Sequence, residues 1–191
     1  MIRSLLALAA LLLPAAAFAA GPHVLLQTGA GAIVIELADK QAPITAGNFL
    51  KYVDQKKLDG TNFYRAVPSD KKKTMGFVQG GIHHSIVRAL PPIPHEPTSK
   101  TGLKHLDGTI SMAMTTPGSA MGDFFITVGA LPSLDAHGKN PGFAAFGHVI
   151  KGMDVVKKIL AAPTIANAGS GDMKGQFIAK PIPILSARRV P

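Results

Sequence analysis

The sequence predicts a mainly β fold, a closed eight-stranded antiparallel β-barrel capped by two helices. The chain of 191 residues contains 20 glycines and 15 prolines, so turns are frequent and long helices are disfavoured. About eight short runs have the composition of strands, and only two segments have helical spacing. A barrel is favoured because closure leaves no exposed strand edge, and a two-sheet sandwich is the structural alternative.

The first 20 residues have the pattern of a cleavable export signal. Arg3 supplies a positive charge, Leu5–Leu13 form an apolar core, and Ala17–Ala19 form a small-x-small cleavage site. The apolar core is shorter than the about 20 residues that span a bilayer, so an uncleaved membrane anchor is the less favoured alternative. We therefore expect a signal peptide over residues 1–20 and one domain over residues 21–191.

Strands are predicted where apolar and β-branched residues alternate or form short runs between turn residues. Leu90–Pro97 contains four prolines and is predicted to be a surface loop. Leu131–Gly142 and Ala161–Gly175 are also predicted to be loops. The predicted strands are Val24–Thr28, Ala32–Leu37, Asn62–Val67, Met75–Gln79, Thr109–Met114, Asp123–Val128, Ala144–Ile150 and Ile182–Arg188.

The two predicted helices follow the first hairpin and the seventh strand. Ala46–Leu58 has apolar residues at near-helical spacing, with Thr45 as a candidate N-cap and Gly60 as a stop. Met153–Leu160 is the second helix, and its charged residues suit the helix dipole.

Composition excludes several classes of function. The chain has no cysteine, so disulfides and thiolate catalysis are impossible. The formal net charge is +9, but the lysines are scattered apart from Lys71–Lys73, and nucleic-acid binding is not expected without a basic stripe and interleaved aromatics.

Histidines and serines also fail to match catalytic or metal templates. The spacing of His83, His84, His95 and His105 fits no zinc site, and we interpret these side chains as solvated loop histidines. The segment Pro117–Met121 lacks the second glycine of a GxSxG elbow, so a serine hydrolase is not indicated. No metal, nucleotide or other cofactor is predicted.

Arg65 is the strongest candidate for a functional residue. It lies within the strand-like run Phe63–Val67, where patterning alone would place a small or apolar side chain. Its guanidinium is always charged and offers a planar fork of donors, which can bind a substrate amide if the side chain faces a cleft. An outward-facing surface arginine is the alternative. Gln79 ends the next strand before two glycines, either as part of the site or of an ordinary turn.

An apolar pocket is predicted beside these polar residues. Phe124 and Phe125, together with Met112, Ala113 and Leu134, could form it, although alternation along a strand places some of them in the core. An apolar pocket with one polar clamp is the usual layout of a small-ligand site.

Several motifs resemble the cyclophilin-type peptidyl-prolyl cis-trans isomerases, most closely the bacterial exported type. They occur in family order over nearly all of the chain after the export signal. The resemblance implies a cyclophilin-like eight-stranded antiparallel barrel with a helix at each end. The motifs are Phe63–Arg65 (FYR), Phe77–Gly81 (FVQGG), Gly108–Ala113 (GTISMA), Phe124–Ile126 (FFI), Leu134–Asp135 (LD) and Phe146–Asp154 (FGHVIKGMD).

The resemblance also implies roles for individual residues. Arg65 matches the catalytic arginine, and Gln79 matches a glutamine that helps to hold the substrate backbone. Phe125 and Leu134 match the floor and wall of the proline pocket. The substrate-binding residues implied in this way, or predicted as part of the apolar pocket, are Phe63, Phe77, Gln79, Met112, Ala113, Phe125, Leu134 and Phe143.

The chain departs from the family pattern at the rim of this pocket. Asp123 stands where glutamine is common and adds a negative charge near the cleft, and Ser133 stands where an aromatic residue borders the pocket. Met114 replaces a polar residue. The segment Ser69–Thr74 is lengthened and rich in lysine, and Gly76 replaces a phenylalanine.

Together these features predict a peptidyl-prolyl cis-trans isomerase that binds proline-containing polypeptides during the folding of exported proteins. We expect it to be a periplasmic monomer without stable membrane insertion. Two alternatives stay open. One is a noncatalytic proline-peptide-binding chaperone, favoured by Asp123 and Ser133. The other is a polyanion- or envelope-binding protein that uses the positive charge.

Overall fold

The computed structural model describes residues 21–191 and confirms the predicted barrel. Eight antiparallel strands close in the order β1-β2-β7-β5-β6-β4-β3-β8. The predicted signal peptide, residues 1–20, lies outside the described residues. The strands are β1 (His23–Thr28), β2 (Gly31–Leu37), β3 (Thr61–Pro68), β4 (Gly76–Gly81), β5 (Thr109–Met112), β6 (Asp123–Val128), β7 (Ala144–Lys151) and β8 (Phe177–Val190).

Barrel connectivity is less sequential than the succession of strands suggested. Three sequence-neighbouring pairs are hydrogen-bonded (β1 with β2, β3 with β4, and β5 with β6), but β7 lies between β2 and β5. β8 is also twice the predicted length and pairs with both β1 and β3, which closes the barrel. Pro181 and Pro183 weaken the strand pattern in its first half, because proline has no N–H to donate. A proline carbonyl can still accept a hydrogen bond, and that of Pro183 accepts one from the N–H of Gly29 at 2.9 Å.

The barrel encloses a core of large apolar side chains, which alternate along the strands with outward-facing residues. Three helices accompany it: α1 (Pro43–Asp54), α2 (Thr98–Thr101) and α3 (Met153–Leu160). α3 contacts β2, β3, β4 and β6, as a cap over a barrel opening does. Among the described residues, no helix is long and apolar enough to cross a membrane. The largest buried core residues include Leu26, Ile33, Ile35, Phe63, Ile110, Phe124, Ile126 and Phe146.

The start of α1 differs from the prediction. The helix begins at Pro43 rather than Ala46, and Thr45 is its third residue rather than its N-cap. The carboxylate of Glu96, from the proline-rich loop, takes the capping role. It accepts the N–H of Ile44 at 3.2 Å, and the N–H and hydroxyl of Thr45 at 2.7 and 2.6 Å. A distant residue therefore satisfies donors that no side chain at the helix start satisfies.

Replacing Glu96 by alanine should lower the free energy of unfolding by about 1–2 kcal/mol, because three hydrogen bonds and a charge at the helix N-terminus are lost. Glu96→Gln keeps an acceptor and should lose less. Urea unfolding at pH 7 measures both. Equal stability of Glu96→Ala and the parent would contradict this capping role.

Candidate active site

A β-bulge turns Arg65 out of the barrel interior. The pairing of β3 with β4 and with β8 shifts register between Phe63 and Arg65, so Tyr64 is the extra residue. Phe63 before the bulge and Ala66 after it are fully buried, whereas Arg65 is half-buried. Without the bulge, strict alternation would place Arg65 on the same face as Phe63.

Four residues then form one row across the outer face of the sheet. Arg65 on β3 lies opposite Gln79 on β4, and Gln79 lies opposite Phe125 on β6. Phe125 in turn lies opposite Ser111 on β5. Directly paired residues of neighbouring strands share a face. Strand register therefore places the arginine, the glutamine and the phenylalanine side by side, although they are distant in sequence.

Two glutamines fix the guanidinium of Arg65. Its Nε and Nη2 donate to Oε1 of Gln176 at 2.8 and 2.5 Å, and its Nη1 donates to Oε1 of Gln79 at 2.7 Å. Its Cζ atom lies 5.4 Å from the ring centroid of Phe77. Burial lowers the pKa of Arg65 from its ordinary value, which still leaves the group charged near neutral pH. Three of the five guanidinium N–H groups have these partners among residues 21–191, and two remain for a ligand.

The side chain of Gln79 is itself oriented by a hydrogen bond to Tyr64. Its Nε2 donates to the hydroxyl oxygen of Tyr64 at 2.7 Å. Burial, and next the negative charge of Asp123, raise the pKa of the Tyr64 hydroxyl, so this group stays protonated. The amide oxygen of Gln79 is thus directed at Arg65. Its predicted contact with the substrate backbone stays a prediction.

The row borders a cavity of about 250 Å³. Its apolar part contains three phenylalanine rings: Phe125 lies 5.2 Å from Phe77 and 5.3 Å, edge to face, from Phe143 between ring centroids. The residues that line the cavity are Arg65, Phe77, Gln79, His84, Ala113, Met114, Thr115, Ser119, Met121, Asp123, Phe125, Leu134, Phe143 and Met173. The arrangement suits a small apolar ring held next to a fixed cation.

Seven of the nine predicted site residues line this one cavity, and two do not. Phe63 is fully buried, with its ring edge-on to Phe124 at 5.7 Å, and Met112 is 1% exposed. Neither lines the cavity. Phe63 points into the barrel on the interior side of the bulge, and Met112 belongs to the same buried core. For these two residues, a direct substrate contact is corrected to a place in the core beneath the site.

Asp123 lines the cavity, but its carboxylate is not free. Oδ1 accepts the backbone N–H of His83 at 2.7 Å, and Oδ2 accepts that of His84 at 3.2 Å. Both histidines have positive φ, 50° and 58°, a conformation that costs energy for residues other than glycine. The extra negative charge that the sequence indicated near the cleft therefore holds the chain after β4 in place.

His105 is not the solvated loop histidine that its sequence context indicated. It is 1% exposed. Its Nδ1 lies 2.7 Å from Asp135 Oδ1, its Nε2 lies 3.0 Å from Ser111 Oγ, and its ring stacks on Phe125 at 5.8 Å. Because Ser111 is fully buried, this Ser–His–Asp chain cannot present a nucleophile to a substrate. It lies behind the floor of the cavity, and Asp135 follows the wall residue Leu134.

The other histidines agree better with the prediction. His83 and His84 are exposed, and His95 is half-buried with its Nε2 2.9 Å from the Pro141 carbonyl oxygen. Over residues 21–191, no three acidic, cysteine or histidine side chains are grouped so that they could hold a metal ion.

Sequence reasoning missed the C-terminal contribution to the site. Met173 belongs to a segment that was predicted to be only a loop, and Gln176 follows that segment directly, yet Met173 lines the cavity and Gln176 fixes Arg65. The Gln176 carbonyl also accepts the N–H of Ala66 at 3.0 Å. A glutamine 111 residues from Arg65 carries no local signal that could have identified it.

For the isomerase activity that the sequence leads us to expect, replacing Gln176 by alanine should lower kcat for a proline tetrapeptide about tenfold, because Arg65 loses hydrogen bonds that orient its charged group. KM should change little, since Gln176 does not line the cavity. Steady-state kinetics measure both constants, with Gln27→Ala on the exposed face of β1 as the control. An unchanged kcat would refute this role.

Comparison with known proteins identifies close relatives of the chain. The family model for cyclophilin-type peptidyl-prolyl cis-trans isomerases matches residues 23–188. Peptidyl-prolyl cis-trans isomerase A of Dickeya dadantii is 40% identical over 180 residues, which cover 92% of this chain and 88% of that protein. A peptidyl-prolyl cis-trans isomerase of Acinetobacter baylyi is 40% identical over 143 residues, covering 73% of this chain and 72% of that protein.

A solved structure supports the fold independently. The crystal structure of a cyclophilin-type isomerase of Cryptosporidium parvum, determined in the presence of the dipeptide Ala-Pro, has a TM-score of 0.70 to this chain. It covers 88% of this chain and 99% of that protein at 22% sequence identity. At that identity the likeness concerns the fold alone.

Proposed function

Because the chain belongs to the cyclophilin-type peptidyl-prolyl cis-trans isomerase family, we propose that it accelerates X–Pro bond rotation in exported proteins as they fold. Arg65 is its catalytic residue in this proposal. The observation that carries the proposal is the guanidinium of Arg65, fixed by two glutamines at the edge of an apolar cavity with two N–H groups remaining.

The reaction breaks no covalent bond. Rotation about the X–Pro bond has a barrier of about 18–20 kcal/mol, because the planar amide is stabilised by resonance. In the twisted state that resonance is lost, and the proline nitrogen gains a lone pair that can accept a hydrogen bond. A donor fixed next to that nitrogen binds the twisted state better than either planar state, and such differential binding is catalysis.

Arg65 meets the requirements for such a donor. Its charge persists despite partial burial, and Gln79 and Gln176 fix the plane of its guanidinium before a substrate arrives. A preoriented donor has no reorganisation to undergo in the transition state. Each 1.36 kcal/mol of extra stabilisation in the twisted state accelerates rotation tenfold.

The apolar side of the cavity supplies the second requirement, a fixed proline ring. Phe125 forms the floor, Leu134 and Phe143 form a wall, and Phe77 lies between the floor and the guanidinium. If the ring is held there, rotation moves the residue that precedes proline. The backbone N–H of Ala113 is already bonded to the Asp123 carbonyl at 2.9 Å, so Ala113 offers its carbonyl to the substrate backbone.

The exported location is supported by the sequence of residues 1–20. A positive residue, an apolar core and a small-x-small site together form a secretion signal, and the cysteine-free domain needs no disulfide to fold outside the cytoplasm. We infer from this that, in a Gram-negative source, the mature enzyme is a periplasmic monomer that acts on incompletely folded polypeptides.

Two experiments test the proposal. Turnover of an Ala-Ala-Pro-Phe tetrapeptide by the purified protein tests the isomerase activity, and absence of acceleration would overturn it. Expression of the full chain in a Gram-negative bacterium, followed by fractionation and mass spectrometry, tests export. We expect a shortened protein in the periplasm that begins close to Ala20. An uncleaved cytoplasmic protein would overturn the exported role and leave the isomerase activity standing.

A further inference from the structure

Two consecutive apolar residues project from a turn beside the cleft. Ile86 is 90% exposed and Val87 is 91% exposed. The other exposed large apolar residues between residues 21 and 191 reach at most 60%. His84, two residues before Ile86, lines the cavity. Two residues of chain span at most about 7 Å, so the pair begins close to the rim of the cleft.

The backbone that carries the pair is held at both ends. At its start, the Asp123 carboxylate accepts the N–H groups of His83 and His84. At its end, Nη1 of Arg88 donates to the carbonyl oxygens of Lys57 and Asp59, both at 2.8 Å.

The turn between these anchors closes on itself. The Ser85 carbonyl accepts the N–H groups of Arg88 and Ala89 at 3.1 and 3.0 Å. A surface that is already ordered loses little conformational entropy on binding, so even a small apolar contact on it increases affinity.

We propose that Ile86 and Val87 bind an apolar segment of the same polypeptide whose proline occupies the cleft. The enzyme then favours prolines that lie a few residues from exposed large apolar side chains, which unfolded proteins present and native proteins mostly bury. The proposal rests on the proposed function of the cleft. Two residues of extended chain reach about 7 Å, so substrate residues a short distance beyond the proline are within range of the pair.

The size of the surface favours this occupant over a second copy of the chain. A stable protein–protein interface buries about 800 Å² on each partner, far more than two side chains supply. A substrate that is already held in the cleft needs less, because its second contact is intramolecular and has a high effective concentration.

The test compares peptides that share one central sequence and differ only in the residues that flank it. The core is Ala-Ala-Pro-Phe, extended on either end by four residues that contain two leucines or, in the matched peptide, two serines. We expect the parent protein to show a kcat/KM about tenfold higher for the better leucine peptide, consistent with burial of one or two apolar groups. The double variant Ile86→Ser/Val87→Ser should lose that preference and keep the parent's turnover of the unextended core.

Leu106→Ser provides the matched control. Leu106 is 60% exposed and does not line the cavity, so this variant should keep the leucine preference. This inference is overturned if the parent shows no leucine preference, or if the double variant keeps it. In either case, turnover of the core peptide by the parent would still support the isomerase function. Absence of core turnover in the parent overturns the isomerase function itself. A double variant that changes the sedimentation of the protein identifies a second copy as the occupant and also overturns the inference.

Discussion

An Arg65→Ala variant should isomerise a proline tetrapeptide about 100- to 1,000-fold more slowly than the parent, the range observed when one preorganised charge-stabilising donor is removed. The loss should appear mainly in kcat, because the guanidinium acts on the twisted state while Phe125, Phe143 and Leu134 still hold the ring. Arg65 is half-buried on the outer face of the barrel, so its removal leaves the interior core unchanged.

Arg65→Lys gives the sharper version of this test. Lysine keeps the charge but has three donors instead of five and no planar fork, so reproducing the three hydrogen bonds to Gln79 and Gln176 would leave no N–H for the substrate. We expect it to recover little of the lost activity. Arg189→Ala is the control, because Arg189 is an exposed arginine on β8 that pairs with Asp54. Parent-like turnover by a folded Arg65→Ala protein would remove the physical basis of the proposed mechanism.

Much of the fold was predictable because it depends on local signals. Seven of the strands begin and end within two residues of their predicted limits, and α3 matches its predicted limits. Local signals failed where a distant partner decides the structure. The closing strand β8 forms despite two prolines, because β1 and β3 supply partners on both sides. Similarly, α1 starts earlier than predicted because Glu96 caps it from a distant loop.

The site was predictable to the extent that single residues carry its chemistry. The charge of Arg65 in a strand and the paired phenylalanines are visible in the sequence, and the family motifs add Phe77 and Phe143. What could not be predicted is the support around them. The bulge at Tyr64, the second glutamine on Arg65 and the burial of His105 all depend on strand register or on contacts between segments far apart in sequence.

Removing the hydrogen bonds that His105 makes beneath the cavity floor should also have a large effect on stability. In the neutral state of His105, Nδ1–H donates to Asp135, and Nε2 accepts the Ser111 hydroxyl. The side chain of Asp135 is only 12% exposed, and its Oδ1 also accepts the His105 backbone N–H at 3.1 Å. The histidine thus joins β5 to the segment that carries Leu134, while its ring packs against Phe125.

Replacing His105 by phenylalanine should lower the free energy of unfolding at pH 7 by about 3 kcal/mol, because a nearly buried carboxylate and a buried hydroxyl lose their partner. The phenyl ring can still stack on Phe125, so the variant isolates the hydrogen bonds from the packing. We also expect KM for a proline peptide to rise, since Leu134 is no longer tied to β5 through Asp135. Urea unfolding and steady-state kinetics measure the two effects, with His148→Phe on an exposed position of β7 as the control.

The effect should also depend on pH, with a sign that follows from burial. Burial lowers the pKa of His105 below the ordinary value of about 6.5, and the hydrogen bond to Asp135 only partly opposes this. As the pH falls below about 6.5, the unfolded chain therefore takes up a proton that the folded protein does not, and the parent loses stability. His105→Phe has no such group at this position, so its stability deficit should be smaller at pH 5 than at pH 7. An equal deficit at both pH values would mean that His105 is not held neutral in the folded barrel.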